Sequence, residues 1–311
     1  MNDYFRTTIF LLATLVLAAC AGGPAQKQPV LSSPTLTRNW IEGEGGIKLR
    51  LNTWPAKGRQ RAVILAAHGY GDTGELTYHR AAEYWATKGI TTYAYDHRGF
   101  GRNASYKKWA GPETMIADLQ VITARIRAQH PDVPLTVIGH SMGGGVVLGA
   151  AGRGLDADRI VLAGPAITGG QGVNPIYRLF GWAAGVAIPE KRFTGDGLIS
   201  IQATDNRDAV LEALAEPRRI SDPSARELYG LVRLMDTANE TIADVTIPTM
   251  TLIGAKDEIF NPRQIERVHN QIPGAEKFIL YPEGWHWLFR DLQAENVWRD
   301  VVDFATLPQK E

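Results

Sequence analysis

Leu135-Thr136-Val137-Ile138-Gly139-His140-Ser141-Met142-Gly143-Gly144-Gly145-Val146-Val147-Leu148-Gly149-Ala150-Ala151 decides how the rest of this chain is read. Its first four residues, apolar and partly β-branched, predict a buried strand. The run from Gly144 to Ala151 is small enough for a helix to pack closely against a sheet. Between them, Gly139-His140-Ser141-Met142-Gly143 fits G-x-S-x-G, a sharp strand-to-helix turn that exposes a serine oxygen at its apex. Glycine and serine are common, so the pentapeptide alone is weak; flanked this way it makes Ser141 a candidate nucleophile. A glycine-rich loop that merely lets a helix approach a strand is the plainer alternative. A phosphate-binding loop does not fit, because no Lys-Ser or Lys-Thr pair follows the glycines.

Working outward, the same alternation repeats on both sides. Upstream, residues 47–54 alternate apolar and polar, predicting an antiparallel edge strand. The continuous apolar run Ala62–Ala67 ends at His68-Gly69-Tyr70-Gly71-Asp72, and a helix is expected over about Leu76–Thr87. Ile90–Tyr95 runs into Asp96-His97-Arg98-Gly99-Phe100-Gly101, and Pro112 or Glu113 opens a helix to about Gln129. Downstream, Ile160–Ala163 is a strand. The pattern then breaks for about seventy residues, with helices expected over Ala209–Leu214 and Ala225–Met235. It resumes with a strand at Pro248–Gly254, a helix over Pro262–Ile272, a strand at Lys277–Tyr281 and a helix over about Ala294–Phe304. Strands alternating with helices predict an α/β protein with a mostly parallel sheet covered on both faces. The interruption, about residues 165–240, reads as a helical cap inserted into that core, or more plainly as a surface excursion.

A serine hydroxyl needs a base, and the base needs a group to orient it. Asp257 follows the strand ending at Gly254, and His286 follows the strand ending at Tyr281. Both therefore fall at the carboxyl edge of the sheet, the edge that carries Ser141 and where such sheets place their sites. Glu258 and Asp244 compete with Asp257 for the acid. Of the other histidines, His140 supports the turn, His79 and His130 are expected in solvent, and His97 and His269 sit at the wrong chain positions for a base. An oxyanion requires two donors: the N–H of Met142, directly after the serine, and the N–H of Tyr70, with Gly69 permitting close approach.

Lys+Arg and Asp+Glu are equal at 33 each, which argues against nucleic acid as a partner. Gly99-Phe100-Gly101-Arg102-Asn103-Ala104 satisfies a dinucleotide fingerprint, but Gly111-Pro112 and the residues before it separate it from the next helix, so no pyrophosphate site is expected. No metal-ligand spacing is present, and no cofactor is expected. At the N-terminus, the apolar run Ile9–Ala19 is too short to span a bilayer comfortably and stops at Cys20, the only cysteine. Leu17-Ala18-Ala19-Cys20 resembles the lipobox of bacterial lipoprotein signal peptides. It implies a signal peptide over residues 1–19, lipidation of Cys20, a Pro/Gly/Gln/Ser-rich tether over residues 20–38, and a chain anchored in the cell envelope, facing the periplasm from the outer membrane. A plain signal sequence with an inert thiol is the alternative.

From about Asn39 to the end, the chain resembles the monoacylglycerol lipase and lysophospholipase group of α/β-hydrolases. The resemblance rests on His68-Gly69-Tyr70-Gly71, Asp96–Gly101, Gly139–Gly144, Gly254-Ala255-Lys256-Asp257 and Gly284-Trp285-His286, with Asn206-Arg207-Asp208 and Ser221-Asp222-Pro223 less specific. It implies an α/β-hydrolase fold with an inserted cap and a serine hydrolase using Ser141, Asp257 and His286, with Tyr70 and Met142 as oxyanion donors. The implied substrate is an ester of a single-chain lipid, a monoacylglycerol or lysophospholipid. Cap residues in that group shape an acyl channel and touch membranes; Phe180, Trp182 and Ile188 are the candidates here, equally readable as cap core. A small-ester carboxylesterase or peptidase of the same fold, and a non-catalytic envelope lipoprotein, stay open as alternatives.

Overall fold

Alternate residues of the central strands bury themselves on opposite faces of one sheet. In β3 (Ala62–Ala67), Val63, Leu65 and Ala67 join the core on one side, and Ala62, Ile64 and Ala66 join that on the other. This is the signature of a sheet with both faces covered. In this computed structural model the described residues are 39–169, 175–193 and 201–308. The expected signal peptide, Cys20 and the tether lie outside the described residues.

Eight strands form the sheet in the order β1-β2-β4-β3-β5-β6-β7-β8. They are β1 (Trp40–Glu42), β2 (Lys48–Trp54), β3, β4 (Ile90–Tyr95), β5 (Leu135–His140), β6 (Arg159–Ala163), β7 (Thr249–Gly254) and β8 (Ala275–Tyr281). Pairing is parallel from β4 through β8, and β1 and β2 are antiparallel. The residues 47–54 do form an antiparallel strand, but not an edge: the three-residue β1 pairs outside it, through Ile41 opposite Leu49.

The connecting helices are α1 (Gly74–Thr87), α2 (Pro112–Gln129), α3 (Met142–Ala151), α7 (Pro262–His269) and α8 (Ala294–Ala305). Ile116, Leu119, Ile122 and Ile126 of α2 form a buried stripe in one core, with α3 and α7. Tyr78, Ala81 and Trp85 of α1 pack with Val297, Val301 and Phe304 of α8 in the other. Between β6 and β7 the chain inserts α4 (Pro175–Ala187), α5 (Arg207–Ala215) and α6 (Ala225–Glu240). The sequence predicts the last two but not α4, whose Gly181 and Gly185 weaken a helical pattern.

His130 differs from expectation. It is half-buried, its Nε2 lies 2.9 Å from the Tyr93 hydroxyl and its Nδ1 3.3 Å from Gln60 Nε2. It ties the end of α2 to β4 rather than facing open solvent.

The order of connection sets where a site can form. After β3 the chain goes to β4 on one side, then crosses to β5 on the other, so β3 and β5 are neighbours whose outgoing loops diverge. Open α/β sheets bind ligands in the crevice at such a switch point. Here the crevice lies between His68–Asp72 and Ser141.

Candidate active site

Ser141 sits at the apex between β5 and α3 with φ 52° and ψ −117°, a left-handed conformation that a non-glycine residue adopts only under constraint. Such strain costs roughly 1–3 kcal/mol. It is opposed by four backbone bonds: Ser141 N–H donates to Ala163 O (2.9 Å), and Ser141 O accepts from Gly144 (2.9 Å), Gly145 (3.3 Å) and Ala166 (2.9 Å). At about 1 kcal/mol net each, these suffice to hold the turn. The glycines are required by close approach. A Cβ on Gly139 would lie 2.3 Å from Gly143 O, and one on Gly143 would lie 2.2 Å from Ala67 O. The serine is partly exposed, while every residue of α3 behind it is buried. Among the described residues Ser141 Oγ makes no hydrogen bond; contacts of this kind often tighten only around a bound substrate.

Asp257 and His286 meet across the ends of β7 and β8. Asp257 Oδ2 accepts from His286 Nδ1 at 2.8 Å, and Asp257 Oδ1 accepts from the N–H groups of Ile259 (2.8 Å) and Phe260 (2.9 Å). Burial works against ionising Asp257, but the charge and hydrogen bond of His286 and those two N–H donors together hold its carboxyl below the usual range. An ionised carboxylate only accepts, so the neutral form of His286 carries its proton on Nδ1 and leaves Nε2 as an acceptor. Glu258 instead accepts from Gln202 N–H, and Asp244 lies in a short 3-10 turn after α6. Of the three candidate acids, the structure brings Asp257 to the histidine.

The turn Ala163–Gly164 links the parts. Ala163 O receives Ser141 N–H, and a Cβ on Gly164 would lie 3.3 Å from His286 Nδ1 and 3.5 Å from Asp257 Oδ2. His140, the variable residue of the elbow, donates from Nε2 to His286 O at 2.9 Å. Burial, then the neighbouring His286, push its pKa down to about 3, so it stays a neutral strut.

On the other side of the serine, Gly69 approaches so closely that a Cβ there would lie 3.1 Å from Ser141 Cβ. Gly69 O accepts from His68 Nδ1 (2.7 Å) and from Asp72 N–H (3.3 Å), and His97 N–H donates to His68 Nε2 (2.9 Å). The Gly69–Tyr70 peptide is therefore held by its carbonyl. Its N–H, on the opposite side of a trans peptide, donates to no acceptor among the described residues, and neither does the N–H of Met142 at the start of α3.

Two groups in the histidine loop have no signal in the motifs. Asp291, 3 % exposed, accepts Trp285 N–H on Oδ2 (2.7 Å) and the Thr204 hydroxyl on Oδ1 (2.6 Å), so it ties the residue before His286 to the inserted segment. Trp287 N–H to Ala203 O (2.8 Å) and Asn206 Nδ2 to Arg290 O (2.8 Å) extend the seam. Arg290, 2 % exposed, pairs with Asp72 of the Gly69 loop and stacks 4.0 Å from the Trp287 ring centroid. Both lie a few residues past His286, but only the folded chain shows what they hold. Among the described residues no group of His, Cys, Asp and Glu is arranged to hold a metal ion.

Comparison with known proteins agrees with this architecture. The monoacylglycerol lipase of Mycolicibacterium smegmatis is 26 % identical over 88 % of this chain and 98 % of its own length. The caffeoylshikimate esterase of Arabidopsis thaliana is 22 % identical over 86 % of this chain and 84 % of its own. The crystal structure of a soluble variant of the Saccharomyces cerevisiae monoglyceride lipase, in complex with a substrate analogue, superposes with a TM-score of 0.72 at 20 % identity, covering 92 % of this chain and 98 % of that one. Residues 58–293, from the turn before β3 through the histidine loop, match one family along their whole length, and the chain belongs to it: the serine aminopeptidase S33 family, with the α/β-hydrolase fold.

Proposed function

We propose that this chain hydrolyses carboxylic esters of single-chain lipids, monoacylglycerols or lysophospholipids, through an acyl-enzyme on Ser141. The observation that carries the reading is the Asp257–His286 hydrogen bond on the sheet edge that also bears the strained serine. His286 Nε2 takes the Ser141 Oγ proton as Oγ attacks the ester carbonyl. The oxyanion is received by the N–H groups of Tyr70 and Met142. The imidazolium, held by ionised Asp257, gives its proton to the departing alcohol. Water, deprotonated by His286, then attacks the acyl carbonyl and releases the acid and the serine.

The lipid part of the reading has its own support. Leu179, Trp182 and Val186, at i, i+3 and i+7 of α4, are 60 %, 50 % and 64 % exposed, an apolar stripe facing outward on the insertion. Ile188 beyond it is also half exposed; the Phe180 side chain lies outside what is described. The relative from Mycolicibacterium smegmatis is named a monoacylglycerol lipase. The family name raises peptides as the second reading. An aminopeptidase must offer a carboxylate to the substrate's ammonium group, and among the described residues the buried carboxylates that touch the Gly69 loop are taken: Asp72 by Arg290 and Arg219, Glu227 by Tyr70 and Arg192. Ester substrates are therefore favoured.

Lipidation at Cys20, and with it anchoring in the cell envelope on the periplasmic side of the outer membrane, belongs to the same proposal. A tether of the expected length would keep the enzyme beside its lipid substrate.

The test is hydrolysis of p-nitrophenyl esters from acetate to palmitate, with Ser141→Ala as control and aminoacyl p-nitroanilides in parallel. Serine-dependent turnover that rises toward longer chains is expected, with kcat falling roughly a million-fold in Ser141→Ala. Activity confined to acetate and butyrate, or to the anilides, would overturn the lipid reading. A folded Ser141→Ala protein of undiminished activity would overturn the mechanism.

A further inference from the structure

The loop that presents the Tyr70 N–H is gripped by the inserted segment at consecutive residues. The Tyr70 hydroxyl donates to Glu227 Oε2 at 2.8 Å. Gly71 O accepts Ile220 N–H at 2.8 Å, and the contact is so close that a Cβ on Gly71, at φ 77°, would lie 2.2 Å from Ile220 O. Asp72 faces Arg219 at 3.7 Å. Tyr70, Gly71 and Asp72 thus each touch the insertion.

Glu227 is the fixed end of the first contact. It is 2 % exposed and stands at the third position of α6, where it accepts Ser224 N–H (2.7 Å) while the Ser224 hydroxyl accepts Glu227 N–H (3.2 Å). This reciprocal capping box locks the start of the helix. Arg192 Nη1 lies 3.4 Å from the same oxygen that receives the Tyr70 hydroxyl. A buried carboxylate with a cation and two donors is rigidly placed, and it anchors a phenol whose proton is retained, since burial and the adjacent Glu227 push the Tyr70 pKa well above the usual value. The Tyr70 ring packs edge-on against Phe100 at 5.4 Å, a contact that phenylalanine would make equally well. The hydroxyl is therefore not needed to fill the core.

We propose that Glu227 is a positioning residue: through the Tyr70 hydroxyl it sets the Gly69–Tyr70 peptide, so that the seating of the inserted helices decides whether the oxyanion hole is aligned. The inference rests on the assignment of the Tyr70 N–H as an oxyanion donor. His68 fixes the back of that peptide from the core, and Glu227 fixes the following side chain from the insertion. The tethers fall on adjacent residues, at the Gly69 carbonyl and at the Tyr70 side chain, and together they constrain the direction of the N–H between them.

The experiment uses the whole protein and compares wild type, Tyr70→Phe, Glu227→Gln and the double variant. Phenylalanine keeps the ring and the N–H and removes only the tether. Labelling of wild-type Ser141 by a fluorophosphonate comes first; if wild type does not react, the serine-hydrolase reading fails and the inference with it. Next, kcat and KM are measured on one p-nitrophenyl ester. Affinity is measured for an alkyl trifluoromethyl ketone, whose serine adduct places an oxyanion in the hole, and for the matching methyl ketone, which reports ground-state binding. Losing an oxyanion donor costs 10²–10³ in kcat, so misaiming one should cost about ten-fold. The expected result is a kcat loss of about ten-fold with KM within about two-fold, and an equal loss of trifluoromethyl ketone affinity with methyl ketone affinity unchanged. The double variant should be no worse than either single one. Unchanged kcat and trifluoromethyl ketone affinity in folded Tyr70→Phe would overturn the inference, as would losses that multiply in the double variant. If Glu227→Gln does not fold, Tyr70→Phe alone decides.

Discussion

Replacing Asp291 by asparagine should change how stability depends on pH, by an amount the structure sets. Burial drives the Asp291 pKa up to about 6 from an ordinary 3.8, although its hydrogen bonds from Thr204 and Trp285 oppose the rise. The side chain is 3 % exposed, so solvent screens little of this. The folded state holds the proton more tightly than the unfolded chain. Its contribution is therefore fully present below pH 3.8 and lost as pH rises through about 6. Across the full range the difference is worth about 3 kcal/mol, of which about 1.4 kcal/mol is regained between pH 7 and pH 5. Asparagine cannot titrate, and it gives up one of the two accepted bonds, a pH-independent loss of about 1–3 kcal/mol. Urea denaturation of both proteins at pH 7 and pH 5 separates the two effects, because every other titrating group is shared. Wild type should gain about 1.4 kcal/mol on the variant over that interval. A difference that stays constant, or moves the other way, would refute the picture of a buried, raised carboxyl in the histidine loop.

Asp257→Asn should keep the shape of the site but reverse the proton on His286, since an amide can donate to Nδ1. A fall in kcat of about 10⁴ is expected, read with any ester the wild type accepts; a loss under ten-fold would remove Asp257 from the triad. Cys20→Ala should move the protein from the membrane pellet to the soluble fraction when expressed with its leader in a bacterium. Pelleting that persists in the variant would sink the lipid anchor.

The candidate site residues were legible because each stands within a few residues of the end of a strand. His68–Tyr70 follow β3, Ser141 follows β5, Asp257 follows β7 and His286 follows β8. In a parallel sheet every strand ends at the same edge, so chain position alone places these groups together. The helix stripe of α2 was equally local. What escaped the sequence was short, weakly patterned or long-range. The strand β1 has three residues and no periodicity to read; α4 carries two glycines; His130 looks like a solvated helix end until Tyr93 is seen beside it.

By itself, then, the sequence determined the alternation of strands and helices, the sharp turn at Ser141 that only glycines at 139 and 143 allow, and the order serine, acid, histidine. These follow from neighbours in the chain: periodicity, steric size and backbone preference. Only the tertiary structure decided that Asp257 rather than Glu258 or Asp244 reaches His286, that His140 bonds the His286 carbonyl, and that Asp72, Glu227, Arg290 and Asp291 stitch the inserted segment to the loops of the site. Each of these depends on which loops face one another across the sheet edge. Direction is fixed there by hydrogen bonds between segments far apart in the chain, Tyr70 to Glu227 and Arg290 to Asp72, and no local pattern of residue types encodes such a pairing.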